Sequence, residues 1–444
     1  MPPAAEGVDP GLAPRRVALE LLTAVLRDAR PLAELLDAES PLDGLSRLSE
    51  RDRALARMIA FTTLRRLGQI DACLKRVYRK GMPARAGTLK EILRIGAAQL
   101  LFLNIPDHAA VDLAVRLADR DQRARHYRGL VNAGLRRLAE KGAELTAAQD
   151  AARLNTPRWL WQSWVAAYGE EIARAIAEAH LIEPPLDLTV KEDAPGWAAR
   201  LGGIVLPMGS VRLAHKGRVE TLDGYEEGGW WVQDAAASLP ARLLGKVAGK
   251  TVLDLCAAPG GKAAQLAAAG ARVVAVEKSP RRARRLQQNL RRLALDAQVV
   301  VADALEWQPQ AAADAVLLDA PCTATGTLRR HPDAAWIRRE KDLDGLVALQ
   351  RRLLARAVEL ARPGGEIVYC TCSLQPEEGE GQIAHLVEAG APVRRAANAA
   401  EEIGGLEQAI SPMGDLRTLP FMQPGADPRL AGMDGFYAAR LVRV

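Results

Sequence analysis

Apolar positions recur with helical spacing through the first third of the chain. Over residues 17–26 they fall on one face, and the pattern returns over residues 53–67 and 89–103. Pro31, Pro41, Gly81-Met82-Pro83 and Pro106 punctuate the stripe and divide it into separate helices. No alternating strand pattern interrupts it. An all-helical bundle is therefore predicted over residues 1–142. Residues 143–235 are mixed. Trp159, Trp161 and Trp164 mark a helix, and Pro184-Pro185 lead into a strand-like Leu186-Asp187-Leu188-Thr189-Val190. Gly-rich turns then run to Gly228-Gly229-Trp230-Trp231-Val232-Gln233-Asp234. This reads as a small α+β connector to which the residues assign no chemistry.

From residue 236 to 444 the pattern alternates between strand and helix. Thr251-Val252-Leu253-Asp254-Leu255 is a strand, residues 262–269 a helix and Arg272-Val273-Val274-Ala275-Val276 the next strand. Residues 279–295 are helical, with Ser279 as N-cap and Pro280 at the first helical position. Strands follow at residues 299–301, 315–318 and 367–369. Such alternation predicts a Rossmann-like α/β domain, a mostly parallel sheet with helices on both faces.

At 444 residues the chain is long enough for two or three domains. Lys plus Arg number 60 against 54 acids, a mild net charge of +6. The arginines cluster at 116–137, 281–292, 329–339 and 351–356, which fits either a phosphate backbone or solvated helix faces. Those at 116–137 make RNA binding the sharper reading of the bundle and a purely structural role the plainer one. Five cysteines are scattered without a disulfide framework. Cys370 and Cys372 form a CxC pair, but no second Cys or His pair completes a tetrahedral metal site, so no metal is expected. Residues 1–14 lack the apolar core of a secretory leader, and no apolar run approaches membrane-spanning length. A reduced, cytoplasmic protein without membrane association is expected.

Two segments look built for chemistry. Asp319-Ala320-Pro321-Cys322 and Thr371-Cys372-Ser373 each follow an apolar strand, where open α/β sheets place their ligands. The plain alternative is that both thiols are small buried hydrophobes. Upstream, Cys256-Ala257-Ala258-Pro259-Gly260-Gly261-Lys262 joins the first strand to its helix, and its small residues let backbone N–H groups approach a ligand. Cys256 and Ala263 stand where a phosphate-binding Walker loop needs Gly and Ser/Thr, and a dinucleotide loop's third glycine is missing. Glu277 ends the second strand, where a carboxylate can take both ribose hydroxyls; Asp303 ends the third, where one can accept from an adenine amino group. A Gly-rich loop and two such acids fit an adenosine without phosphates, hence S-adenosyl-L-methionine. The alternative is that Glu277 and Asp303 only cap helices.

The loop motif from Leu255 to Lys262, with Asp319-Ala320-Pro321-Cys322 and Thr371-Cys372-Ser373, resembles the RNA 5-methylcytosine methyltransferases of the NOL1/NOP2/Sun family. The helical region resembles a NusB-like domain, the combination found in bacterial members acting on 16S rRNA. Residues 316–333 and the closing segment 434–441 also match the pattern. Glu277 stands for the usual Asp, Thr323 for Ser and Cys370 for a small residue, while Thr189-Val190-Lys191 replaces a common Arg-x-Asn. The resemblance implies that Cys372 attacks carbon 6 of cytosine and that Cys322 serves the release step. It implies that Asp319 stabilises the base, while Lys262 lowers a thiol pKa or contacts the base. Cofactor binding falls to Cys256, Ala257, Ala258, Pro259, Gly260, Gly261, Lys262, Glu277, Asp303 and Asp319. DNA 5-methylcytosine enzymes use the Pro-Cys thiol as nucleophile, so sequence logic alone leaves Cys322 a candidate for that role. Cys256 and Cys370 otherwise read as packing residues. The target base must be unstacked, and Arg329, Arg330, Arg338 and Arg339 are well placed for RNA phosphates, with a solvated helix face the equal alternative for Arg338 and Arg339. A monomer acting on RNA is expected. The same chemistry on tRNA or large-subunit rRNA, or a non-catalytic NusB-like RNA-binding factor, remain the alternatives.

Overall fold

The computed structural model describes residues 11–37, 42–215, 217–423, 425 and 427–444. Pro41 and residues 1–10, on which one helix break and the absent leader were argued, lie outside the described residues. The chain divides into two compact units, Met1–Gln162 with His331–Arg339, and Ser163–Arg330 with Glu340–Val444.

The first unit is helical, as its periodicity predicts. Its longer helices are Leu12–Asp28, Glu50–Arg65, Leu67–Val77, Leu89–Phe102, Asp107–Arg120 and Arg128–Ala147. The Ser49 hydroxyl caps the second of these by accepting from Asp52 N–H at 3.2 Å, and Pro106 precedes the fifth. Leu21, Ile59, Leu93 and Leu135 meet in one core. Residues 331–339 belong to this unit although they follow the Pro-Cys motif in sequence. Asp333 accepts from Leu32 N–H at 2.9 Å, the Trp336 indole donates to Leu64 O at 2.8 Å, and Trp336 and Ile337 pack on the core. Arg116, Arg120, Arg123, Arg125, Arg128, Arg136 and Arg137 are all exposed on its surface.

The second unit holds two sheets. A small antiparallel sheet is formed by β1 (Leu186–Val190), β2 (Ile204–Val205), β3 (Val211–Leu213) and β4 (Trp230–Val232) in the order β2-β3-β1-β4. Residues 163–235 of the expected connector fall within this same compact unit. The large sheet contains β5 (Thr251–Leu255), β6 (Arg272–Glu277), β7 (Gln298–Val301), β8 (Ala313–Asp319), β9 (Ala361–Thr371), β10 (Val393–Ala396), β11 (Leu416–Thr418) and β12 (Phe436–Arg443). Its order is β10-β12-β9-β8-β5-β6-β7, with β11 beside β12. Strands β5 to β9 pair in parallel; β12 runs antiparallel to β9, β10 and β11.

Alternate residues of the central strands supply the two faces. Val252, Leu317 and Val368 join one apolar cluster with Ala263 and Leu286 of the helices Gly261–Ala268 and Pro280–Arg292. Leu253, Leu318 and Ile367 join the other with Leu353 and Ala357 of the helix Asp342–Leu360. A strand buried on both faces must be apolar throughout, which is why β8 reads as a continuous run. Each Val, Leu or Ile among them contributes about 1.5–3 kcal/mol by leaving water.

Candidate active site

Strand β5 pairs with β6 on one side and β8 on the other, so the chain order reverses at this strand. Crevices at such switch points, beyond the carboxyl ends of the strands, are where open α/β sheets bind ligands. Register places the ends of β5, β6, β8 and β9 along that one edge: Leu255 pairs with Val276 and with Leu318, and Asp319 with Cys370. The motifs at 256–262, 319–322 and 371–373 therefore converge although they are far apart in sequence.

The loop after β5 is shaped by its backbone. Cys256 adopts φ 62, a left-handed conformation unusual for a residue with a Cβ. Gly260 has φ 108, and a Cβ there would fall on Leu286. Two side chains of the helix Pro280–Arg292 hold the loop's carbonyls: Arg282 donates to Ala258 O at 2.7 Å and Asn289 to Pro259 O at 2.8 Å. Glu277 is buried and accepts from Ala258 N–H at 3.4 Å and Ser279 N–H at 2.9 Å. Asp303 accepts from Lys278 at 2.8 Å and Leu305 N–H at 3.0 Å. The Lys278 ammonium, then the Leu305 N–H, lowers its pKa. Each acid thus makes cap-like bonds, and each carboxylate keeps further lone pairs for a ligand.

Lys262 donates to Asp319 at 2.7 Å, with its ammonium 5.0 Å from the centre of the Phe436 ring. Burial opposes the Lys262 charge, but the Asp319 carboxylate outweighs it and the pKa lies above its ordinary value. Cys370 donates to the other Asp319 oxygen at 3.6 Å, so this thiol does more than pack. Behind them Asp254 is fully buried, with neither carboxyl oxygen hydrogen-bonded among the described residues. Burial, followed by the Asp319 charge, pushes its carboxyl up to about 8. At neutral pH Asp254 is predominantly a neutral acid. The expectation that Lys262 lowers a thiol pKa meets a stronger opposing effect at Cys370. There burial, then the Asp319 charge, drives the thiol well up.

The two motif thiols touch. Cys322 Sγ lies 3.4 Å from Cys372 Sγ. Cys322 is the more buried of the two. Its pKa is driven well up, first by its hydrogen bond to Cys372 and then by burial. The residue after each cysteine ties the loops together: the Thr323 and Ser373 hydroxyls lie 3.1 Å apart, with Thr325 Oγ1 3.2 Å from Ser373 Oγ. Gly326 N–H donates to Cys372 O at 2.9 Å, and a Cβ on Gly326 would collide with the backbone of Gly435.

Arg329 and Arg330 do not lie where phosphates were expected. Arg329 is buried and donates to Met433 O at 3.2 Å and Ala431 O at 3.0 Å. Arg330 donates to Asp234 at 2.5 Å, Asp434 at 3.1 Å and Pro185 O at 3.1 Å. Their guanidinium groups knit the loop after Cys322 to the rest of the unit. Of the later pair, Arg338 is half-buried and Arg339 exposed. Asp254 and the buried pair Gln350 and Glu378 escape the sequence reading, because each is an ordinary strand or helix residue without a motif; Phe436 is legible only as part of the closing segment 434–441. Among the described residues no group of three or more His, Cys, Asp or Glu side chains is placed to hold a metal, and no helix is long and apolar enough to cross a membrane.

A doubly wound sheet with this loop and two thiols at its switch-point edge defines a Rossmann-like methyltransferase. Comparison with known proteins narrows that class. A family model described as 16S rRNA methyltransferase RsmB/F matches residues 241–442, and one described as NusB family matches residues 12–140. The chain is 36% identical to ribosomal RNA small subunit methyltransferase B of Sodalis glossinidius over 80% of its length and 87% of the relative's. It is 33% identical to the Shigella flexneri protein of that name over 97% of this chain and 98% of the other. The chain belongs to the RsmB/F family of small-subunit rRNA methyltransferases. Among solved structures, PH0851 aligns with TM-score 0.72 at 20% identity, covering 98% of this chain and 99% of its own. NSun6 from Pyrococcus horikoshii aligns with TM-score 0.55 at 19% identity, covering 65% of this chain and 98% of its own. At these identities both speak for the fold alone.

Proposed function

We propose that the protein methylates carbon 5 of a cytosine in 16S rRNA, using S-adenosyl-L-methionine and a transient covalent bond between Cys372 and carbon 6 of the base. The observation that carries this reading is the contact of two thiols at 3.4 Å beside the Lys262–Asp319 pair, on the edge where such sheets bind ligands.

The residues at the switch point fit the cofactor. The Gly-rich loop offers close backbone approach, Glu277 a buried carboxylate for the ribose diol and Asp303 one for the adenine amino group. When bound, that cofactor supplies an electrophilic methyl group on a sulfonium. The protein's own groups must make carbon 5 nucleophilic. Addition of the Cys372 thiolate to carbon 6 does so by converting the ring to an enamine. Asp319, steadied by Lys262, faces cytosine N3 and the amino group and stabilises the charge that develops on the ring. The two thiols are not equivalent: Cys322 is the more buried, and its pKa is raised, first by its hydrogen bond to Cys372 and then by burial. Once Cys372 is bonded to carbon 6 it no longer acts on Cys322 as a neighbouring thiol, so Cys322 can give up its proton to solvent and, as a thiolate, take the carbon-5 proton while the Cys372 sulfur is expelled. The exposed arginines between Arg116 and Arg137 suit an RNA backbone.

Cys372→Ala is expected to abolish methyl transfer. Cys322→Ala is expected to accumulate a protein–RNA species of reduced mobility on a denaturing gel. An adduct in Cys372→Ala and none in Cys322→Ala would reverse the assignment of the two thiols. Bisulfite sequencing of rRNA and tRNA from a deletion strain tests the substrate: loss of a modified cytosine from tRNA alone would refute the 16S rRNA reading.

A further inference from the structure

The residues that hold Cys322 in place come from outside every motif. Glu378 is fully buried and lies six residues beyond Cys372, in the short segment Pro376–Glu378. Its two carboxyl oxygens accept from the backbone N–H of Thr323 at 3.0 and 3.2 Å. The Thr323 hydroxyl also donates to it. Gln350, fully buried on the helix Asp342–Leu360, donates to Glu378 at 2.9 Å and to Pro321 O at 2.9 Å. The peptide groups on both sides of Cys322 are thus gripped by one buried Gln–Glu pair. Gln382 donates to Gln350 Oε1 at 3.2 Å, and the Tyr369 hydroxyl to Glu378 O at 2.6 Å, so the grip is itself braced.

Glu378 forms no ion pair with a Lys or Arg among the described residues, and every group donating to its carboxylate is neutral. Burying a carboxylate that way is costly, and here it is the acceptor on which the donors flanking Cys322 converge. Its position next to one reacting thiol offers a reason for its presence.

We propose that Glu378, braced by Gln350, is a positioning residue for Cys322: it fixes the loop so that this thiol faces Cys372 during release of the methylated base. The proposal rests on the reading above, in which Cys322 serves the release step. The carboxylate also contributes to holding Cys322 in its thiol form, after the larger effects of Cys372 and burial. A loosened clamp affects the second half of the reaction more than the first, because Cys372 lies on a different strand end.

The test uses the full chain with S-adenosyl-L-methionine and unmethylated 16S rRNA. Glu378→Gln keeps the shape but turns one acceptor into a donor facing two donors. It is expected to leave the first turnover close to the parent's and to slow later turnovers by about 10- to 100-fold. A Cys372-dependent adduct should accumulate on a denaturing gel. Gln350→Leu, which removes the brace without touching Glu378, should give a weaker form of the same split and keeps the test available if Glu378→Gln fails to fold. Equal loss of first and later turnovers with no adduct in either variant would show a merely structural role and overturn the proposal. Cys322→Ala on the same gel separates the two ideas. An adduct there but in neither clamp variant refutes the clamp alone; no adduct there refutes the underlying reading and the clamp with it.

Discussion

Asp254→Asn isolates the cost of burying a carboxyl that no described residue hydrogen-bonds. Asp254 is fully buried, unpartnered among the described residues, and pushed up to about 8 from an ordinary 3.8. A folded-state pKa above the unfolded value means that the native protein binds more protons than the unfolded chain between those limits. Stability is then greatest below the unfolded pKa, falls as pH rises, and levels off above the folded value. One group contributes a slope of about 1.4 kcal/mol per pH unit, so the wild type loses about 2.5 kcal/mol between about pH 5.5 and 7.5 from this residue. Asparagine has nearly the same shape and does not titrate. Urea unfolding of both proteins across that range, without ligand, should show the variant gaining on the wild type by about that amount as pH rises. Parallel stability curves would refute the reasoning and show that Asp254 is solvated or partnered in solution.

Other expectations follow from contacts already described. Asp187 and Arg212 form a fully buried two-bond pair at 2.6 and 2.7 Å, so Asp187→Ala should cost about 3–5 kcal/mol in chemical denaturation by stranding the guanidinium. Asp187→Leu with Arg212→Met should recover much of that loss. Trp336→Ala removes a half-buried indole and its bond to Leu64 O; it should cost about 2 kcal/mol and speed hydrogen exchange in residues 59–65, with unchanged exchange refuting the docking. Replacing Arg120, Arg123 and Arg125 with Gln should weaken rRNA binding and reduce the slope of log affinity against log salt by about 2–3, and an unchanged slope would remove them from the interface.

Where the local pattern was strong, the sequence was enough. Thr251–Leu255 is a strand with the predicted bounds, and Ser279 caps the helix Pro280–Arg292 as its sequence implied. Strand β9 was only half legible. It starts at Ala361, which pairs with Ala313, and residues 362–365 fall in a register irregularity before Glu366 pairs with Ala315, so only the stretch from Glu366 onward shows in the local pattern. Pairings across long sequence separations left no local trace. Nothing near Arg329 or Arg330 in sequence shows that carbonyls at 431 and 433 and carboxylates at 234 and 434 would take up their guanidinium groups. The same holds for Asp333 and Trp336, whose partners lie some 300 residues earlier, at Leu32 and Leu64. Of the site, the cysteine motifs and the loop were legible as motifs; the orphan Asp254 and the Gln350–Glu378 grip emerge only from packing.

The pairing of β8 with β9 has a chemical consequence. Two neighbouring parallel strands deliver a sulfur each to one spot, so in the proposed reaction exchanging the attacking thiol would displace the nucleophile by about the 3.4 Å between them. The cofactor loop, the Lys262–Asp319 pair and the sheet need not be rebuilt for such an exchange. Under the chemistry proposed above, either sulfur therefore lies within about one atomic contact of the other's place at the same edge of the sheet.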